Sequence, residues 1–349
     1  MAPNRYLPHA RRWNPTLDRL AFLGAVLALG IAPAGADCQN ADDGAPRLGV
    51  ARIVEVDTSE GPVFGAMTKR PHEELLGPHE IVLSFDDGPM PWITRSILAT
   101  LKRHCTRATF FSVGKMAIAY PGVLREELEK GHTVGTHTWS HPLNLNRLKS
   151  EAAVAEIDRG FAAVSAAAGH PIAPFFRFPG LSDSTFLVEQ LSQRHVASFT
   201  VDVVSNDSFI SDPARLTRET LAKVEANHGG IILFHDIKAS TAKALPGILD
   251  ALAERDYKVV HLVPKAAVEP NAQMVAGFEP QVAKQLDAKT KTALMPFFGA
   301  VGPTPAAELD RDDKRAERKS GAEPRRRRGS KAPAVSVGAS WATSVQHGD

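Results

Sequence analysis

Between about residues 78 and 265, short apolar runs alternate with longer amphipathic segments, the pattern of strands that each lead into a helix. IVLSF (81–85) reads as a strand, and WITRSILATLKRH (92–104) as a helix with Ile93, Ile97, Leu98 and Leu101 on one face. ATFFSV (108–113) is a strand, VLREELEK (123–130) a helix, 132–135 a short strand, and LKSEAAVAEIDRGFAAVSAA (148–167) the longest helix. APFFRF (173–178), VASFTV (196–201), GIILFH (230–235) and YKVVHL (257–262) are predicted strands, with helices over 184–194, 213–226 and 243–255. Pro213 suits a first helical turn, and Gly229-Gly230 closes that helix before the next strand.

About seven strands with helices between them predict an α/β fold with a parallel sheet and right-handed crossovers. A closed (β/α) barrel and an open doubly wound sheet both satisfy the periodicity. No dinucleotide glycine fingerprint is present, and no GxxxxGK phosphate loop. The polar residues choose between the two architectures. Asp86-Asp87 end the first strand, His137 and His141 follow the third, Arg177 ends the fourth, Asp202 the fifth and His235 the sixth. Polar groups at the carboxyl ends of many strands are the habit of barrel enzymes; an open sheet concentrates them at one switch point. A barrel is expected.

The chain has 349 residues, 43% hydrophobic and 23% charged, which excludes a wholly disordered chain. Residues 1–19 carry a net +3 and 310–331 a net +5, so the remainder of a chain at +2 overall is acidic, at −6. No basic core surface is left to neutralise nucleic-acid phosphates. Two cysteines exclude a disulfide-dense scaffold and a Cys-rich zinc module. The apolar run Leu20–Ile31 follows arginines and precedes Ala34-Gly35-Ala36. That order predicts a secretory signal peptide over 1–36, cleaved after Ala36, with a retained anchor as the alternative. The mature protein is then exported, periplasmic or secreted. A disulfide between Cys38 and Cys105 would persist there and tie the lead-in segment (37–77) to the body, with one buried and one exposed thiol as the alternative.

Beyond about 266 the pattern degrades. One surface helix over 280–294 fits, but Pro296, Pro303 and Pro305 interrupt the stretch beyond it, and DRDDKRAERKSGAEPRRRRGSK is too poor in apolar residues to fold alone. Residues 266–349 are expected to form a largely disordered, charged tail. Its run Arg325–Arg328 offers a peripheral contact to anionic envelope components.

The chemistry sits in four short stretches. SFDDGP places Asp86 and Asp87 at a strand end, where both serve one site only if the strand stops there; Gly88-Pro89 marks such a turn. A helix-capping pair is the alternative. HTWSHP carries His137 and His141 at i and i+4, and one helical turn would set both imidazoles toward a single metal. With one carboxylate they make three protein ligands and an open position, a catalytic rather than a structural metal arrangement. Arg177 is able to grip a carboxylate bidentately, and His235 to protonate a leaving group. Each has a structural alternative, a salt bridge or a strand cap. Together they describe metal-assisted hydrolysis.

SFDDGP, HTWSHP, RFPG and LFH, in that order, resemble the motif set of the polysaccharide deacetylases, the fourth carbohydrate esterase family, over roughly 78–265. The resemblance implies a distorted (β/α) barrel holding Zn2+ or another divalent cation such as Co2+, and a catalytic domain over 78–265. Carried over by position, it makes Asp87, His137 and His141 the metal ligands, Asp86 the general base and Arg177 its orienting partner. Leu233 would line the acetyl pocket and His235 would be the general acid. Asp202 matches the aspartate that supports that histidine, with Asp207 a second candidate. Two departures stand out. Gly180-Leu181 follow Pro179 where the family carries an aromatic residue, leaving the Gly180 amide as an oxyanion donor but removing an aromatic wall. The fourth motif's aspartate-tryptophan pair appears as Asp207-Ser208 with Phe209 displaced. The expected reaction is removal of N-acetyl groups from an amino-sugar polymer or oligomer by a monomer. A C–N hydrolase of small amides and a non-catalytic carbohydrate-binding module are the alternatives; a glycosidase would need separated carboxylates.

Overall fold

A computed structural model describes residues 47–293. The expected signal peptide, Cys38 and the segment from 294 onward lie outside the described residues. Two strands, β1 (Arg52–Val56) and β2 (Val63–Phe64), precede the first predicted one, β3 (Glu80–Asp86). Then come α1 (Pro91–Arg103), β4 (Thr109–Ser112), α2 (Gly114–Ala119), α3 (Pro121–Glu129), β5 (Thr133–Thr136) and α4 (Ser150–Ala168). The second half comprises β6 (Phe175–Phe176), α5 (Thr185–Ser192), β7 (Ala197–Phe199), β8 (Val203–Val204), α6 (Pro213–Ala226), β9 (Gly230–His235), α7 (Ala239–Glu254), β10 (Lys258–Pro264) and α8 (Ala272–Ala293).

Local chemistry sets the boundaries. Pro91, Pro121 and Pro213 open their helices, where the missing N–H costs nothing. The side chain of Asp212 caps α6 by accepting from Arg215 N at 2.6 Å. Gly169 ends α4 in the left-handed conformation, φ 86°. The strand predicted over 173–178 shrinks to two residues between Pro174 and Pro179, because proline brings no donor to a ladder.

Every strand pairing is parallel. β3 is central. β9 runs along one of its edges over Ile81–Asp86, while β10 and β4 share the other, at its start and its end. The ring continues β4–β5–β6–β7, and the chain then passes directly into β8, which pairs with β9. The path β3–β4–β5–β6–β7/β8–β9 is therefore closed, with β1, β10 and β2 appended outside it. Ten strands are present among the described residues rather than about seven. The additions are two-residue ladders and a lead-in strand too short or too polar to announce themselves.

Side chains of each ring strand alternate between two apolar layers. Ile81, Leu83 and Phe85 of β3 and Ile232 and Phe234 of β9 face the helices, against Ile97, Leu98 and Leu101 of α1 and Ile248 and Leu252 of α7. Val82, Phe111, Phe175, Phe199, Ile231 and Leu233 fill the barrel interior. The inward positions continue upward through Ser84, Asp86, Arg177 and His235. That upward run carries the site.

The expected boundary at 265 is corrected. α8 begins at Ala272, earlier than predicted, and buries Phe278 and Val282 in the helix-side core. Phe278 packs against Trp139, ring centroids 5.0 Å apart and planes tilted by 32°. The apolar spacing that drives this, Val275, Phe278, Val282 and Leu286, is sparse among charged residues and reads as a surface helix until its partner is known. Cys105 is disulfide-bonded.

Candidate active site

The first strand does stop where the two carboxylates need it to. Asp86 is the last residue of β3 and Asp87 has φ 80°, so the backbone swings and both carboxylates converge on one side. Gly88 comes next because any Cβ there would collide with the buried carboxylate of Asp236. Asp236 in turn accepts from Thr94 Oγ1 at 2.6 Å and donates its own N–H to the Asp86 carbonyl at 3.2 Å. Thr94 and Asp236 thus pin the turn from below.

Asp86 is 3% exposed and Arg177 is fully buried. Arg177 Nη1 donates to Asp86 Oδ1 at 2.7 Å and to Ser84 Oγ at 2.9 Å. Its other nitrogens reach the carbonyls of Phe199 and Thr200, each at 3.3 Å, and its guanidinium lies 4.1 Å from the Phe111 ring centroid. Burial lowers the Arg177 pKa, and the Asp86 carboxylate opposes that shift. This is an oriented ion pair inside the barrel, not a surface salt bridge.

The two histidines do not lie on a helix. Residues 137–141 form an irregular loop with φ 71° at Thr138 and 60° at His141, which corrects the expected helical turn. The loop brings the rings to 4.8 Å between centroids. Asp87 Oδ1 faces His141 Nε2 at 3.1 Å and His137 Nε2 at 3.8 Å. His137 is buried, and its Nδ1 lies 2.6 Å from the Arg177 carbonyl oxygen. Burial lowers its pKa despite the nearby carboxylates. The ring is neutral, with Nδ1–H donating to that carbonyl and the Nε2 lone pair turned toward Asp87.

One carboxylate and two imidazole nitrogens from Asp87, His137 and His141 all lie within 4.8 Å of one another. Asp87 Oδ1 is buried and accepts no hydrogen bond. Ligands about 2.1 Å from a shared tetrahedral ion stand about 3.4 Å apart, close to the two separations from Asp87. The donor set and its unsatisfied oxygen fit a single divalent cation.

His235 ends β9 beside Asp86, to which it is paired in register. Its Nε2 is 4.0 Å from Asp87 Oδ2. Its Nδ1 lies 2.6 Å from Asp207 Oδ1, and its own N–H donates to Asp207 Oδ2 at 2.7 Å. Burial alone would lower the His235 pKa; the hydrogen bond and charge of Asp207, with Asp86 and Asp87 behind it, outweigh burial and raise it to about 9. Thr241, in the first turn of α7, donates to Asp207 Oδ2 at 2.6 Å and fixes that carboxylate.

Asp202 is not at His235, and that expectation is corrected. Its carboxylate accepts from Ala66 N and Ile231 N, each at 2.7 Å. It clips the crossing between β7 and β8 to β9 and to the lead-in segment, where the ring closes. Asp207 is the residue that meets the histidine. Leu233 faces the barrel interior opposite Ser84. Gly180 is exposed, with φ 60°, and a Cβ added there would lie 3.4 Å from the Leu143 side chain, just past His141. Phe209 is 89% exposed rather than forming a wall. Thr241 carried no signal in the sequence because the helix holding it was expected to begin at 243.

The sequence of residues 75–197 matches the family model described as polysaccharide deacetylase. A chitooligosaccharide deacetylase of Azorhizobium caulinodans is 31% identical over 156 residues, covering 45% of this chain and 73% of that protein. The chain belongs to the polysaccharide deacetylase family. Within that family, peptidoglycan-N-acetylglucosamine deacetylase PgdA of Listeria monocytogenes is 34% identical over 180 residues, 52% of this chain but 37% of its own length. Peptidoglycan-N-acetylmuramic acid deacetylase PdaC of Bacillus subtilis is 34% identical over 54% of this chain and 40% of its own. The chain thus spans about two fifths of the length of these two relatives. The solved structure of a peptidoglycan deacetylase of Bdellovibrio bacteriovorus superposes with a TM-score of 0.58 at 30% identity, covering 64% of this chain and 61% of that one.

Proposed function

We propose that the chain is a metal-dependent N-deacetylase of amino-sugar polymers or oligomers, chitin-like or peptidoglycan glycan, acting outside the cytoplasm and releasing acetate. The observation that carries this reading is the juxtaposition of a three-residue chelating set with a separate, Arg-oriented carboxylate and a histidine backed by an aspartate. A binding module has no use for all three. The relatives are named for deacetylation of peptidoglycan sugars or chitooligosaccharides, and this supports the same substrate class here.

Asp87, His137 and His141 would hold the cation, Zn2+ or Co2+, which supplies electrophilic pull on the acetamide carbonyl and acidifies water. Asp86 accepts the proton of the attacking water. Arg177 holds the Asp86 carboxylate through Oδ1 and leaves Oδ2 directed at the site, 3.7 Å from His137 Nε2. Asp207 keeps His235 protonated at neutral pH, so His235 Nε2–H donates to the departing amine. The Gly180 amide is the protein donor for the oxyanion, and Leu233 forms the floor that receives the methyl group.

Asp86→Asn is expected to bind Zn2+ with wild-type stoichiometry while turnover falls by about 10²–10⁴-fold, measured by acetate release from acetylated chitooligosaccharides and from peptidoglycan. Near-normal turnover would refute the base assignment. New reducing ends without acetate would instead reveal a glycosidase, and neither product a binding module.

A further inference from the structure

The loop that carries both metal-binding histidines does not hold its own shape. It has two residues at positive φ, Thr138 and His141, and only one bond within itself, His141 N to Thr138 Oγ1 at 3.0 Å. Its support comes from neighbouring helices. Gly114 N and Lys115 N, opening α2, donate to the carbonyls of Thr138 and Trp139 at 2.9 and 3.0 Å. On the other side stands α4. Trp139 N donates to the Glu156 carbonyl at 2.9 Å, Ser140 N to Glu156 Oε2 at 2.8 Å and Ser140 Oγ to Glu156 Oε1 at 3.0 Å. One residue of α4 therefore takes three hydrogen bonds from two of the three residues between the ligands. Gly160, one helical turn on, has no side chain because a Cβ would press on the Thr138 backbone, so α4 lies flush against the loop. Trp139 turns away from the site, toward Phe278 and the Arg159 guanidinium, 4.6 Å from its ring.

We propose that Glu156 is a positioning residue for the metal centre: its bidentate grip on Ser140 preorganises the His137–His141 loop in its chelating shape. This rests on the metal reading given under the proposed function. Nothing in the site replaces the grip on Ser140, since Asp87 approaches from a different strand end and the anchors of His137, its N–H to the Ser112 carbonyl and its Nδ1 at the Arg177 carbonyl, hold only the start of the loop. Without Glu156, Ser140 and His141 are free to adopt alternative loop conformations, and cation binding must then order them, which weakens affinity.

The test is Zn2+ affinity of the full-length protein, measured by competition with a chromophoric chelator, alongside the melting temperature and circular dichroism of the metal-free forms. Glu156→Ala is expected to weaken Zn2+ about 10–100-fold with an unchanged metal-free spectrum. Glu156→Gln still accepts from Ser140 N–H and donates to Ser140 Oγ, and is expected to restore affinity to within about threefold of wild type. Ser140→Ala leaves α4 intact; it is expected to lose several-fold, and the double variant no more than Glu156→Ala alone. Glu156→Ala binding Zn2+ within twofold of a tightly binding wild type overturns the proposal. So does equal loss in Glu156→Gln, which would assign the effect to charge. Should Glu156→Ala fail to fold, undiminished Zn2+ affinity in Ser140→Ala overturns it. A wild type that binds no Zn2+ at all refutes the metal centre itself, a different result from any of these.

Discussion

Three aspartates at the top of the barrel differ in what they touch, and the differences assign distinct tasks to them. Asp86 is pressed against Arg177, Asp207 against His235, and Asp202 against two backbone amides. Asp207→Asn removes the charge that holds the His235 pKa near 9 and should lower turnover with little change in melting temperature, because an amide still accepts from the His235 and Thr241 donors. Asp202→Ala should do the reverse. It strips the acceptor from Ile231 N–H, whose residue is 2% exposed, at a cost of about 1–3 kcal/mol. Turnover should survive while thermal unfolding shifts down by several degrees. Equal loss of turnover in the two variants would sink this division.

At the level of elements, the site is an assembly of strand ends with helices bracing them. β3 and β9 deliver Asp86 and His235 side by side through a parallel register. Such register is fixed because slipping by one residue would exchange the interior and helix-facing layers. The loop after β5 has no such register and depends on α2, α4 and, through Trp139, on α8. Phe278→Ala in α8 removes most of a buried aromatic side chain, 9% exposed in the native protein, and should destabilise by about 3 kcal/mol, read as a shift in the chemical denaturation midpoint. An unchanged midpoint would mean that α8 contributes no packing energy.

At the scale of the whole molecule, acid sensitivity comes from buried histidines remote from the chemistry. Burial first, then the nearby Arg107 charge, lowers His132 to about 3 and His261 to about 4. Above about pH 6.5 both are neutral whether folded or unfolded. As the pH falls below that, the unfolded chain takes up protons the folded one refuses, and each group removes about 1.4 kcal/mol of stability per pH unit until its folded pKa is reached. Asp236 opposes this, since burial raises it to about 7 and its protonation favours the fold between that pH and about 4. A difference isolates one histidine. His132→Gln keeps an acceptor for the Ala108 N–H, and its stability relative to wild type should rise steadily from pH 6.5 to 4, measured by denaturant unfolding. A flat difference would show that His132 titrates normally.

Apart from the six-residue α2 and the two-residue β8, the order of strands and helices from 81 to 262, the parallel sheet and the polar strand ends were legible from the chain alone, because burial on both faces of a barrel strand leaves a continuous apolar run and a helix leaves its 3.6-residue period. The convergence of Asp86, Asp87, His137, His141, Arg177 and His235 was legible from their places along that pattern. The i, i+4 spacing of the histidines predicted proximity correctly but by the wrong route, since spacing does not distinguish a helical turn from a loop closed by positive φ angles. What only the tertiary structure decided are the contacts between residues far apart in the chain. Asp207 rather than Asp202 meets His235 because the chain runs on past the two-residue β8 before it turns back to the end of β9. Likewise Glu156 grips Ser140, and α8 belongs to the body because its few apolar residues find Trp139 and α4. Local sequence encodes periodicity and turn chemistry, which depend on neighbours in the chain; partner choice depends on where the folded backbone brings each side chain.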